Sequence, residues 1–313
     1  LMYKHDVVPV ELRPTVAQTV IDYMNSMVCS MLNSRLSELV QKSDPPFVGA
    51  DASYGDFFVS QTKKAFSLSI EAREGELERG VRTIINEAER MRQFGFTASE
   101  YERAKANYMS RLERLYKERE NQKNDFYVQN LVNHFLTGEA LPGIEMEYTL
   151  MQQIAPAITV DQINTYAKSL PTRENVVMLV MMPQKEGIKV PTKEEILSLY
   201  ESALNDKLEP YKETVSNEPL VAVTPKAGKV VKEIREPITD AIVWTLSNGA
   251  TVVIKKTDFK EDQILLTATS RGGFSLTNPE DVVVTKVLDD IATLGGLGKF
   301  SAIDLKKNLA GKN

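Results

Sequence analysis

Two histidines, one cysteine and one glycine-rich turn are the features of this 313-residue sequence that most invite a chemical reading. Metal or general-base chemistry needs imidazoles within reach of each other, and His5 and His134 lie far apart in the chain. His134 stands among Leu131, Val132 and Phe135 on an expected helix with no second ligand one turn on, so it reads as a packed or solvent-edge imidazole. His5, beside Asp6, has no ligand pattern around it. Cys29 falls in an apolar helical stretch and reads as an inert buried thiol; a single cysteine forms no internal disulfide, so the compartment is left open. The run from Gly295 to Lys299 suggests a phosphate loop. However, Thr293 stands where the first glycine should be and Phe300 replaces the magnesium-binding hydroxyl, which leaves a plain turn. Trp244 reads as a core anchor within a strand. The charged stretch from Arg111 to Lys123 mixes both signs, as a solvated helix face does. No residue is assigned a catalytic, metal-binding or substrate-binding role on these grounds.

The elements that must position these residues alternate in type. Thr15 and Gln18 form a capping-box pattern ahead of a helix whose apolar positions are Val16, Val20, Met24, Met27, Met31, Leu36 and Leu39, and Pro45 and Pro46 stop it. Two strands follow, over Phe47–Phe58 and Lys64–Glu71, the second with Phe66, Leu68 and Ile70 alternating with polar residues. Helical spacing returns over Glu74–Phe94, and Gly95 suits a left-handed exit. Thr97 and Glu100 cap a long charged helical segment reaching about Leu136, broken near Asn121 to Asn124. Two shorter helices come next, the second capped by Thr159 and Gln162. The apolar run Asn175–Met182 then reads as a buried strand. These elements make an α+β arrangement, one antiparallel sheet covered by helices.

From Pro183 to about Pro237 lysine, glutamate and proline dominate around one helix capped by Thr192 and Glu195, the texture of an ordered linker. Strands over Ile242–Leu246 and Thr251–Lys256 are joined at Asn248 and Gly249, a strong hairpin signal. A third strand is expected over Asp262–Ser270, and a helix over Val282–Leu294. The length allows two domains, and 42% hydrophobic with 26% charged residues is ordinary for a soluble globular chain. A net charge of −5 offers no basic excess to neutralise phosphates, which excludes nucleic acid as the main partner. No apolar run approaches the roughly 20 residues of a membrane helix, and no signal-peptide pattern is present. Leu1 to Tyr3 already read as folded sequence and no stop signal precedes Asn313, so a segment of a longer polypeptide is expected.

Several phrases together resemble the insulinase/pitrilysin-type zinc metallopeptidases (inverzincins). LSNGATVVIKKTDFKEDQILLTATSRGGFSL, Leu246 to Leu276, resembles the opening hairpin of one of that family's domains, and GGLGKFSAIDLKKNLAGK, Gly295 to Lys312, resembles its continuation in degenerate copies. LNSRLSEL, PPFVGADAS and EGELERGVRTIINEAERMRQFGFTASEYERAK resemble the family's second, non-catalytic domain. The resemblance implies a clamshell of four related α+β domains. Residues 1–190 would be the second domain, 191–237 the linker between halves, and 238–313 the start of a third, degenerate domain. The family's catalysis uses H-x-x-E-H on a helix, two histidines for zinc and a glutamate to activate water. Counted from the Gly-Gly turn, those positions fall near Val287, Asp290 and Ile291, and valine and isoleucine offer no lone pair. Active members also pair an arginine with a tyrosine seven residues later to hold substrate; Arg35 matches the first, but Lys42 stands at the second and the next aromatic is Phe47.

The resemblance therefore implies a non-catalytic segment of a zinc metalloendopeptidase, inactive alone, with zinc held upstream of Leu1. Its partners would be peptide substrates and the remaining domains of the same polypeptide, and a bacterial periplasm or envelope would be its setting. Peptide would add as a strand to an edge near Val59 to Ile70. A different class of role is a catalytically inactive structural or partner-binding protein of the same fold.

Overall fold

The structure, a computed structural model, describes residues 1–60, 62–183, 185–213, 218–259 and 263–312, apart from the side chain of residue 289. It divides into two compact units, residues 1–116 with 123–214 and 309–313, and residues 117–122 with 215–308.

In the first unit, strands β1 (Met2–Asp6), β2 (Gly49–Asp56), β3 (Lys63–Glu71) and β4 (Val176–Val177) form an antiparallel sheet in the order β2-β3-β1-β4. The registers are Tyr3 opposite Phe66, Tyr54 opposite Phe66, and Met2 opposite Val177. Helix α1 (Val16–Val40) packs on β2, and α2 (Leu77–Phe94), α3 (Ala98–Lys117), α5 (Ile144–Ala157) and α6 (Val160–Ala167) complete the layer; α4 (Asn124–Thr137) buries no residue. Tyr23, Met27, Met31, Leu32 and Leu36 of α1 meet Phe66 and Leu68 of β3 in the core. Each such side chain contributes about 1.5–3 kcal/mol when fully buried. The buried stripe of α1 differs from the expected one, since Val16 is exposed while Tyr23, Val28 and Leu32 are buried.

The caps explain where the helices start. Thr97 and Glu100 close a reciprocal box, Glu100 N–H donating to Thr97 Oγ1 at 3.2 Å and Thr97 N–H to Glu100 Oε2 at 2.8 Å. Thr159 with Gln162, and Thr192 with Glu195 at the head of α7 (Lys193–Ala203), do the same. At Thr15 only half the box forms, because the Gln18 amide donates forward to Asp22 instead. Gly95 has φ 68° but ψ −155°, so it turns the chain out of α2 without being left-handed helical. An added Cβ there would lie 2.5 Å from Asn164, whose amide holds Phe96 N–H and C=O.

One strand expectation is corrected here, and one strand of the sheet was not anticipated. The run Asn175–Met182 is strand only at Val176–Val177, because β1 supplies partners only at Met2 and Tyr3. Strand β1 itself, central in the sheet, carries no alternating signal in Met2–Asp6 and is held by its neighbours. The segment after the sheet folds back on the unit, with Ala203 of α7 buried against Val81 and Ile85 of α2.

In the second unit, β5 (Val230–Glu236), β6 (Ala241–Leu246) and β7 (Thr251–Ile254) form an antiparallel meander. The hairpin between β6 and β7 turns through Gly249 at φ 85°, with Gly249 N–H donating to Leu246 C=O. The expected third strand is absent: 263–270 pair with no strand and Ile264, Leu265 and Leu266 are exposed, while Asp262 lies outside the described residues. The helix expected over Val282–Leu294 is two, α8 (Val282–Thr285) and α9 (Leu288–Gly295), as a run of β-branched residues disfavours one continuous helix. Trp244 is not a core anchor. It is half-buried, and its indole N–H donates to Glu233 at 2.7 Å on the neighbouring strand. A short helix α10 (Ala302–Asn308) follows.

Candidate functional site

Arg35, which matches the arginine of the family's substrate-holding pair although the pair is broken here, points into the first unit. Helix α1 brings it beneath the start of α3, where its exposure is 2%. Its guanidinium donates through Nε to Glu100 Oε1 at 2.6 Å and through Nη2 to Glu100 Oε2 at 2.8 Å and to Gly95 C=O at 2.9 Å. Phe96 and Tyr211 cover its plane at 4.6 and 4.4 Å. Tyr211 in turn donates to Glu38 at 2.8 Å, and burial together with that carboxylate pushes its phenol upward. Paired, stacked and buried, Arg35 works as an internal clamp and presents no face to a peptide. Lys42 and Phe47 do not join it, and Phe47 is fully buried in the core. Glu100 showed in the sequence only as a capping residue, and nothing in the sequence near Tyr211 marked it.

The remaining nominated residues are not brought together. His5 Nε2 bonds to Leu170 C=O at 3.0 Å beside the Tyr54 ring, and burial draws its pKa down. His134 is exposed, with Nδ1 at 2.6 Å from Glu139 C=O. Burial, and secondarily Asp51, pushes the Cys29 thiol up to about 12, which suits an inert thiol. Val287 and Ile291 flank and occupy α9 and offer no donor atom, so the positions matching the family's motif cannot hold zinc. Among the described residues no group of three or more His, Cys, Asp or Glu could hold a metal ion. Gly295 ends α9, and Leu297 to Phe300 form a tight turn closed by a mutual pair of backbone hydrogen bonds between its end residues. Gly296 is required there, since a Cβ would lie 2.1 Å from Phe300 C=O.

Strand addition near Val59 to Ile70 is also corrected. Strand β3 is interior from Lys63 to Leu68, with β2 on one side and β1 on the other, so only Ser69 to Glu71 lack a neighbour on the β1 side. The outer edge of β2 is blocked at Ala52, whose C=O accepts from Asn33 Nδ2 at 2.8 Å and whose N–H donates to Asn33 Oδ1 at 2.7 Å. A helix side chain thus stands in for a neighbouring strand, a device that discourages edge pairing. The outer edge of β4 has no such cover among the described residues.

No family model matches the chain. A PQQL-like zinc protease of Arabidopsis thaliana is 28% identical over 288 residues, which is 90% of this chain and 27% of that protein. The chain therefore spans about a quarter of the length of the curated relative it matches. The crystal structure of the periplasmic protease PqqL from Escherichia coli aligns with 99% of this chain and 34% of its own, at TM-score 0.56 and 20% identity. A predicted insulinase-family protease from Yersinia pestis aligns with 65% of this chain and 43% of its own, at TM-score 0.55 and 13% identity. The fold is α+β, antiparallel sheets with helices, resembling part of PqqL. No helix among the described residues is long and apolar enough to cross a membrane.

Proposed function

We propose that this chain, a relative of the insulinase-type zinc proteases, is a non-catalytic segment of a zinc metalloendopeptidase that helps enclose unstructured peptides. The observation that carries the reading is the pairing of that relationship, over 90% of the chain, with motif positions Val287 and Ile291 that have no donor for zinc. Zinc and the water-activating glutamate then come from elsewhere in the parent, and this chain's contribution is wall and support. Arg35 agrees with that role, because its charge is spent on holding α1 to α3.

Within this reading, residues 1–190 act as the second domain, 191–237 as the linker and 238–313 as the start of a degenerate third domain. The periplasmic setting of the Escherichia coli structure supports a bacterial-envelope location for the parent. The test compares the parent polypeptide with the 313-residue chain for bound zinc and for cleavage of an unfolded fluorogenic peptide. The parent should bind zinc and cut, and the chain alone should do neither. A parent without zinc and without cleavage would replace the peptidase reading with that of a structural subunit.

A further inference from the structure

Helix α4 carries the sequence pattern of a core-facing helix on a face that meets solvent. Val128, Leu131, Val132, Phe135 and Leu136 recur at i, i+3, i+4, i+7 and i+8, one apolar stripe along its 14 residues. In α2 the same pattern, Val81, Ile84, Ile85 and Ala88, is buried to 6% exposure or less. In α4 the five stripe residues are 43–86% exposed, and the helix buries no residue at all.

The helix is fixed at its C-terminal end all the same. Arg13 donates to Thr137 C=O, and Val10 stands so close to Gly138 that an added Cβ would lie 3.0 Å from Val10 Cγ2. Away from the stripe, polar groups bond along the helix itself. Gln129 Nε2 donates to Asn133 Oδ1 at 3.0 Å, and Thr137 Oγ1 donates to Asn133 C=O at 2.7 Å. What the helix leaves unsatisfied is therefore apolar.

The amount of surface indicates an interface. Weighted by exposure, the five stripe residues with Val10 and Leu12 of the adjoining turn offer on the order of 700 Å². The largest apolar patch of a typical monomer is about 300–600 Å², whereas each partner in a stable complex contributes about 600–1,000 Å².

We propose that a second copy of this chain docks on this face, the two α4 helices packing antiparallel about a two-fold axis. The ends of the helix select that partner and that direction. Lys123 immediately precedes α4 and Glu139 follows it by two residues; both are exposed, and neither has an ion-pair partner among the described residues. About 24 Å of helix separates them. Antiparallel pairing centred between Asn130 and Leu131 sets Lys123 of each copy beside Glu139 of the other, while parallel pairing would set like charges together. Both ends are matched when the opposite helix carries the same two charges in reverse order, which a second copy supplies. Opposed helix dipoles favour the same direction. Such an interface uses one patch on both copies, so assembly closes at two. This inference does not rest on the peptidase reading.

Sedimentation equilibrium of the 313-residue chain should show a monomer–dimer equilibrium with a midpoint below about 100 μM. Leu131→Asp and, separately, Phe135→Asp should raise the dissociation constant at least about a hundredfold. Their far-UV circular dichroism should match that of the unaltered chain, because both side chains are exposed. Lys123→Glu should raise the constant about tenfold, and the exchange Lys123→Glu/Glu139→Lys should restore it. A chain monomeric at every concentration would overturn the proposal, as would a dimer that both Asp variants leave intact. No effect of Lys123→Glu, or no recovery in the exchanged variant, would overturn the antiparallel arrangement. Amide exchange in α4 that slows only when an unfolded peptide is added would give the face to that peptide and overturn the proposal too.

Discussion

Replacing Glu100 by Gln should destabilise the first unit by about 3–5 kcal/mol, the range for removing one partner of a buried ion pair. Arg35 and Glu100 are 2% and 5% exposed, so water cannot take over for either. In Glu100→Gln the guanidinium keeps its charge, because arginine does not release its proton in proteins, and retains only Gly95 C=O and the two ring faces as full partners. At about 2–4 °C per kcal/mol for a unit of this size, the midpoint should fall by about 6–20 °C. Arg35→Met should cost less, about 2–3 kcal/mol, since Glu100 keeps the N–H and hydroxyl of Thr97 as donors. The double variant Arg35→Met/Glu100→Gln should recover part of the larger loss, giving a non-additive cycle. Far-UV circular dichroism is the suitable probe, because the single tryptophan, Trp244, lies in the second unit. If both single variants melt with the parent chain while Arg35→Met weakens peptide binding, the guanidinium faces substrate and the clamp assignment is wrong.

Three further outcomes follow from the geometry. Burial holds the pKa of His5 below its ordinary value of 6.5, so the unfolded chain binds more protons between the two values. Stability should therefore fall as pH drops below about 6.5, and His5→Gln should flatten that slope in pH-dependent urea unfolding. Cys29 should react with iodoacetamide at neutral pH at least about a hundredfold more slowly in the native chain than in urea, since its thiol is pushed up to about 12. Gly95→Ala should cost at least about 2 kcal/mol in urea unfolding, because its Cβ would displace the Asn164 amide from both Phe96 backbone groups.

The sequence was most legible where a local rule was sufficient. The boxes at Thr97, Thr159 and Thr192, the hairpin at Gly249 and the break between α3 and α4 all depend on residues a few positions apart. Failures came where a distant partner decides. Gln18 bonded forward to Asp22, and Met178–Met182 stayed outside the ladder for want of a neighbour. Strand β3 reads as an edge although β1 covers it from Lys63 to Leu68, because alternation shows which face is buried but not which strands lie alongside. Arg35 could be picked out from its motif, but its partner is 65 residues away, and the tyrosine over its plane comes from beyond α7. A motif shows which residue type stands at a position, and the packing decides whether its charge meets solvent or the interior.

The stretch after α7 is joined to the first unit like a stitched seam. Asp206 is held by Arg82 and Asn86, Glu209 C=O by Arg90, Tyr211 by Glu38, and Glu213 by Ser99 and Arg103. A pull applied at residue 213 would therefore load the anchors one after another, first on α3, then α1, then α2. Force would be dissipated as a series of small polar ruptures, and the order of unzipping is set by where each acidic or aromatic residue falls along those few positions.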